Sequence, residues 1–100
     1  DMTYADVEDV IRPNNAFTPN NDGFNDTWYI PGIESFVSTE VLVFNRWGQK
    51  VLNNTRYKND NGWDGTTNGL KLPSGTYFYI IEIVTHCIQE QISGTVNIIR

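Results

Sequence analysis

The feature that most constrains this chain is the spacing of its turn residues. Clusters of Asn, Asp, Gly and Pro recur about every ten residues and cut the sequence into short β-branched and aromatic runs. None of these runs shows the 3.6-residue period with capping residues that a helix needs. Residues 10–17 read as an edge-compatible strand, because Pro13 has no N–H to give to a neighbour on one side. Residues 18–26 are almost pure turn chemistry, and the short run Thr27-Trp28-Tyr29-Ile30 ends at Pro31-Gly32. Residues 40–47 read as a strong strand, apolar on both faces at Val41, Leu42, Val43 and Phe44, which Gly48 turns into residues 49–52 as a central hairpin. Residues 53–72 are irregular, with Trp63 in their middle. Pro73-Ser74-Gly75 then turns into a run over 76–87 whose odd positions Tyr77, Tyr79, Ile81 and Ile83 share one face. Residues 91–100 close the chain by alternating Val96 and Ile98 with Thr95 and Asn97. The pattern predicts an all-β fold, an immunoglobulin-like two-sheet antiparallel β-sandwich of about seven strands with Greek-key connections.

A chain of 100 residues allows one domain. Its 39% hydrophobic and 13% aromatic content, against 19% charged residues, excludes a disordered chain or a coiled coil. No apolar run approaches the roughly 20 residues of a membrane helix, so no membrane insertion is expected. The start, Asp1-Met2-Thr3-Tyr4, lacks the basic and apolar regions of a signal peptide and reads as a cut from a longer chain. The net charge of −5 disfavours nucleic acid as a partner. Asp1, Asp6, Glu8 and Asp9 carry most of that excess, leaving seven basic against eight acidic residues from position 10 onward. Residues 1–10 are therefore read as an acidic linker, and residues 11–100 as the folded domain.

Chemistry-bearing patterns are few. Cys87 is the one cysteine and can form neither an internal disulfide nor a metal-binding pair. His86, the one histidine, sits beside it in a strand pattern, where adjacent side chains point to opposite faces, so a Cys-His dyad is disfavoured. No enzyme is expected. The turn Thr18-Pro19-Asn20-Asn21-Asp22-Gly23-Phe24-Asn25-Asp26 places oxygen-bearing side chains at alternate positions before a glycine. Asn20, Asp22 and Asp26 therefore stand as calcium ligands, with Gly23 permitting the sharp turn. The competing reading is purely structural: Asx-turns at Asn20, Asp22 and Asn25, and a cap by Asp26. Asp60-Asn61-Gly62-Trp63-Asp64-Gly65-Thr66 sets a tryptophan into a Gly-bounded turn. Trp63, Asp64 and Gly65 read as a core plug and its turn, or as a sugar-stacking platform. Trp28 and Trp47 read as core or sheet-end packing. Asn25-Asp26-Thr27 and Asn53-Asn54-Thr55 fit the glycosylation acceptor pattern.

Four pieces stand in order along the chain: Asn15-Ala16-Phe17-Thr18-Pro19-Asn20-Asn21-Asp22-Gly23-Phe24-Asn25-Asp26-Thr27-Trp28, Val43-Phe44-Asn45-Arg46-Trp47-Gly48, Trp63-Asp64-Gly65-Thr66 and Leu72-Pro73-Ser74-Gly75-Thr76-Tyr77-Phe78-Tyr79. Together they resemble the gliding-motility-associated C-terminal domain, the type B sorting domain of the Bacteroidetes type IX secretion system. The match runs from about Ile11 to Arg100. The closing Gly94-Thr95-Val96-Asn97-Ile98-Ile99-Arg100 resembles that family's terminus, so Arg100 is expected to be the parent protein's end. The family's turn usually reads Asn-Gly-Asp-Gly, and Asn21 here stands in place of the first glycine. The resemblance implies an address label. The parent reaches the periplasm, and this domain directs it through outer-membrane type IX components to the exterior or the cell surface. Retention there is implied through PorP/SprF-like partners, with the cargo upstream in the same chain.

A label must display a docking surface, and two candidates follow. One is the last strand, with Ile98, Ile99 and a free Arg100 side chain. The other is Arg46-Trp47, a cation beside an aromatic, or alternatively Arg46 paired with an acid such as Asp64. The rival function is a carbohydrate-binding module of a secreted hydrolase, supported by the three tryptophans and the calcium turn.

Overall fold

The computed structural model describes residues 11–20, 23, 26–36, 38–84 and 89–100. The acidic stretch 1–10, Asp22, His86 and Cys87 lie outside the described residues. Among those described there are seven strands and no α-helix. The strands are β1 (Ala16–Phe17), β2 (Ser38–Phe44), β3 (Lys50–Asn54), β4 (Thr66–Thr67), β5 (Leu70–Lys71), β6 (Gly75–Val84) and β7 (Gln89–Ile98). Five of them form one sheet in the order β1-β7-β6-β2-β3, and β4 and β5 form a second, small one. The arrangement is an open, sandwich-like all-β fold.

The two-residue period of β6 decides which face of the large sheet is dry. Tyr77, Ile81 and Ile83 are buried and Tyr79 packs against them, as the odd-numbered spacing predicts. Register carries that face across the sheet: Val41 lies opposite Ile81, Val43 opposite Tyr79, and Val96 opposite Tyr77, with Val41, Val43 and Val96 all fully buried. A register shift beside Val43 and Phe44 brings both Val51 and Leu52 of β3 to the core. On the opposite face Phe44 pairs with Phe78 and Leu42 with Ile80, and Phe78 stays exposed.

The second layer is mostly irregular chain. Trp28 rests on Tyr79 with ring centroids 5.2 Å apart, and Trp63 on Tyr77 at 6.2 Å. Trp28 and Trp63 meet edge to face at 6.3 Å, so the two tryptophans tile the sheet's inner face. The small β4–β5 hairpin turns at Asn68 and Gly69, both with positive φ, as a type I′ turn requires.

Three expectations are corrected. The strand expected over 10–17 is shorter: of the described residues 11–17 only Ala16–Phe17 is a strand, while the N–H groups of Arg12 and Asn14 bond the carbonyls of Pro31 and Tyr29. Pro31 has no N–H to return to Arg12, which keeps the contact to isolated rungs. Residues 27–30 likewise form no strand, because Ile30 bonds a side chain, that of Asn59, where a strand neighbour would stand. The sheet is also not wholly antiparallel. β1 runs parallel to β7, with Phe17 opposite Ile98.

Candidate functional site

Three side chains organise the second layer and the end of the sheet. Tyr57 is buried, and its hydroxyl donates to the Trp28 carbonyl at 2.5 Å while accepting the Trp63 N–H at 2.8 Å. Trp28 N–H in turn donates to the Trp63 carbonyl. One phenol therefore joins two chain segments, which by themselves have no sheet to hold them. Burial pushes this hydroxyl up to about 12, with the Trp63 N–H pulling the other way. The indole N–H groups are satisfied too, Trp28 by the Asn14 carbonyl and Trp63 by that of Thr66.

The second organiser is Arg100. Its guanidinium donates to the carbonyls of Leu72 and Gly65, and at a longer 3.4 Å to Pro19, while its backbone N–H donates to the Ser74 hydroxyl. The reading of a free Arg100 side chain is thus corrected: three turns converge on it. Gly65 makes room for this contact. It has φ +80, and a Cβ there would meet Arg100 Nη2 at 3.2 Å, so both backbone conformation and space favour glycine. Ile98, offered as a partner contact, is buried at 1% exposure and points into the core. β7 is also flanked on both sides, by β6 and β1, so its 97–98 end has no open edge to lend. Ile99 is exposed, with its N–H held by the Phe17 carbonyl.

The third is the turn after β2. Asn45 bonds it together: its side-chain oxygen accepts the N–H groups of Trp47 and Gln49, its amide donates to Gln49 Oε1, and its carbonyl accepts the Gly48 N–H. Such an Asx-stabilised turn is rigid, with Gly48 at φ +83. Trp47 stands at its apex and is 71% exposed, which corrects its reading as packed. The Arg46 guanidinium lies 4.5 Å from the centre of the Trp47 ring, while Asp64, its suggested ion-pair partner, accepts from the Thr66 hydroxyl. Beside Trp47 lies a recess of about 150 Å³, walled by Asn45, Arg46, Pro73, Ser74, Thr76 and Tyr77. Burial raises the Tyr77 hydroxyl above its ordinary value, with the charges of Arg100 and Arg46 opposing that shift.

Asn20 and Asp26 of the calcium reading line a second recess, of about 360 Å³, with Asp64, Thr66, Lys71 and Arg100. A cation entering there meets two carboxylates and two positive charges. Asp26 accepts the Gly23 N–H at 2.8 Å, a contact by which its carboxylate reaches back three residues and closes the turn. Trp63 and Gly65 are buried and Asp64 is exposed, and with Trp28 also buried, Trp47 is the one exposed ring of the three tryptophans that the sugar reading rested on.

The sequence reading missed Tyr57, Asn59 and the bonding of Asn45. Only Asn45 carried a local signal, an Asn three residues before a Gly. Over residues 11–98 the chain matches the family described as CHU_C Type IX secretion signal domain. No curated protein and no solved structure was found to match it.

Proposed function

The chain belongs to the CHU_C type IX secretion signal domain family, and on that premise we propose that it steers its parent protein by offering a folded surface to the outer-membrane export machinery. Membership itself establishes the coarser statement: the domain is a secretion signal for the type IX system, and such signals are not a catalytic family. The finer reading adds that the parent is held at the cell surface through PorP/SprF-like partners. The observation that carries the surface reading is Trp47. A large aromatic, exposed on a turn locked by Asn45 and stacked under Arg46, is the rigid anchor that protein interfaces use as a hot spot.

The test fuses residues 1–100 behind a periplasmic reporter in a strain with a working type IX system. Delivery outside the cell is expected, and Trp47→Ala is expected to reduce it about tenfold or more, the effect of losing one interface anchor, while the melting point stays within a few degrees. Unchanged delivery by Trp47→Ala would remove this residue from the docking surface. A reporter that stays in the periplasm even with the unaltered chain would overturn the signal reading as a whole.

Calcium at Asn20, Asp22 and Asp26 is a separate proposal. A metal that binds the folded chain alone raises its melting point by mass action. A midpoint that climbs in millimolar calcium and returns with chelator supports the site. An unchanged midpoint leaves the turn to the Gly23–Asp26 contact.

A further inference from the structure

Trp47 and Arg100 are far apart in sequence yet share a wall. The recess beside Trp47 is closed on its far side by Pro73, Ser74 and Gly75. Leu72, Pro73 and Ser74 lie between strands, since β5 ends at Lys71 and β6 begins at Gly75. Gly75 pairs with Ile98 of β7, and the rest of the wall is tied by Leu72 N–H to the Gly65 carbonyl, the Tyr77 hydroxyl to the Pro73 carbonyl, and the bonds from Arg100 to Leu72 and Ser74. Arg100 also binds the Gly65 carbonyl that receives the Leu72 N–H, so one guanidinium fixes both ends of that rung. Arg100 is thereby bonded on each side of Pro73, and its third, longer bond reaches the turn at Pro19.

Resting on the proposed function, we infer that the export machinery reads an assembled end of the sheet, in which Trp47 and Arg46 form one half and the Pro73-Ser74-Gly75 wall the other, and that Arg100 is a positioning residue holding the wall in place. Each of its three guanidinium nitrogens donates to a carbonyl inside the domain, so its influence on a partner runs through the turns it bonds. The occupant is a protein component of the outer-membrane machinery, because the family is a signal for that machinery and a rigid aromatic beside a guanidinium suits a protein interface. The last strand alone is an insufficient signal on this view: Ile98 is buried, β7 is flanked on both sides, and the wall and the tryptophan come from other parts of the chain.

The experiment compares reporters carrying residues 1–100 unaltered, with Arg100→Gln, or with Arg100→Lys, and a reporter carrying only residues 89–100. Amide exchange on the purified chains is followed over residues 65–75. Arg100→Gln removes the guanidinium donors and is expected to cut delivery about tenfold and to speed exchange at the Leu72 amide by a similar factor, at a temperature where the chain remains folded. Arg100→Lys keeps the charge and one reach of donor, and is expected to restore part of both. The residues 89–100 reporter is expected to stay in the periplasm. Delivery lost with exchange at 65–75 unchanged would make Arg100 a direct contact and overturn the positioning role. Normal delivery by Arg100→Gln, or delivery by residues 89–100 alone, would overturn the assembled surface. Failure of the unaltered chain to deliver would instead strike the proposed function, so the two failures are distinguishable. Should Arg100→Gln fail to fold, Ser74→Ala, which loses only the acceptor for the Arg100 N–H, takes its place with the same two readouts.

Discussion

Trp28→Ala is expected to lose most of the domain's stability. The indole has no exposed surface, and it touches the rings of Tyr57, Trp63 and Tyr79. Removing it opens a large cavity at the seam between the two layers, a change that costs roughly 3–5 kcal/mol for a buried aromatic. The Asn14 carbonyl then also loses the indole N–H it accepts. Against a total of about 5–15 kcal/mol for a domain of this size, the variant should be largely unfolded in mild urea. A urea titration followed by near-ultraviolet circular dichroism checks this. Trp28→Phe, which keeps part of the ring contact and loses the bond, should fall between. A loss below about 1 kcal/mol would mean that the irregular layer does not depend on this contact. The same measurement bears on function. If the machinery grips a folded surface, Trp28→Ala should abolish delivery although its side chain cannot reach a partner.

What the sequence made legible divides along the range of the interaction. The inner face of β6 could be read directly, because a two-residue period in Tyr77, Tyr79, Ile81 and Ile83 is a local signal and one dry face is its physical cause. The turn residues that divide the chain were equally local. Partner choice was not. The parallel pairing of Phe17 with Ile98 joins positions 81 apart, and nothing in either run states which neighbour it will take. Residues 27–30 have strand composition, yet their bonds go to Asn59 and to isolated N–H groups, because the chain supplies no continuous partner there.

The candidate site follows the same rule. Trp47 was singled out as an interface residue beside Arg46 from composition, but its exposure depends on where β2 stops. Asn45 stops it, by bonding Trp47 and Gln49 and forcing the apex. Arg100 was noticed for its position at the last strand, and its bonds to Pro19, Gly65 and Leu72 exist only because the fold brings three turns to one point. Gly65 does carry a trace of this in the sequence, since a glycine beside Trp63-Asp64 marks a backbone that bends where a side chain would obstruct. Tyr57 had no such trace, and its two partners lie 29 and 6 residues away.

Tyr57→Phe should be the second most damaging change, and its effect should depend on pH. The substitution keeps the ring and removes one oxygen, so packing against Trp28 survives while the Trp28 carbonyl and the Trp63 N–H both lose a buried partner. Two orphaned groups cost roughly 2–4 kcal/mol together, a fall of roughly 10–30 °C in melting point. In the unaltered chain the Tyr57 hydroxyl titrates at about 12 rather than the ordinary 10, because burial disfavours the phenolate. Below pH 10 the hydroxyl is protonated in both states and its stabilisation is complete. Between pH 10 and 12 the unfolded chain releases the proton and the folded chain retains it, so stability falls as pH rises, by on the order of 3 kcal/mol across that window. Tyr57→Phe starts lower and lacks this contribution. Burial also raises Tyr77 and Tyr79, so the variant should retain a shallower alkaline slope, not a flat one. Denaturant titrations of both chains at steps from pH 8 to pH 12 separate the terms. Parallel curves would show that the phenol bridging the two tryptophan segments titrates as it does in water, and coincident curves that the junction is held by ring packing alone.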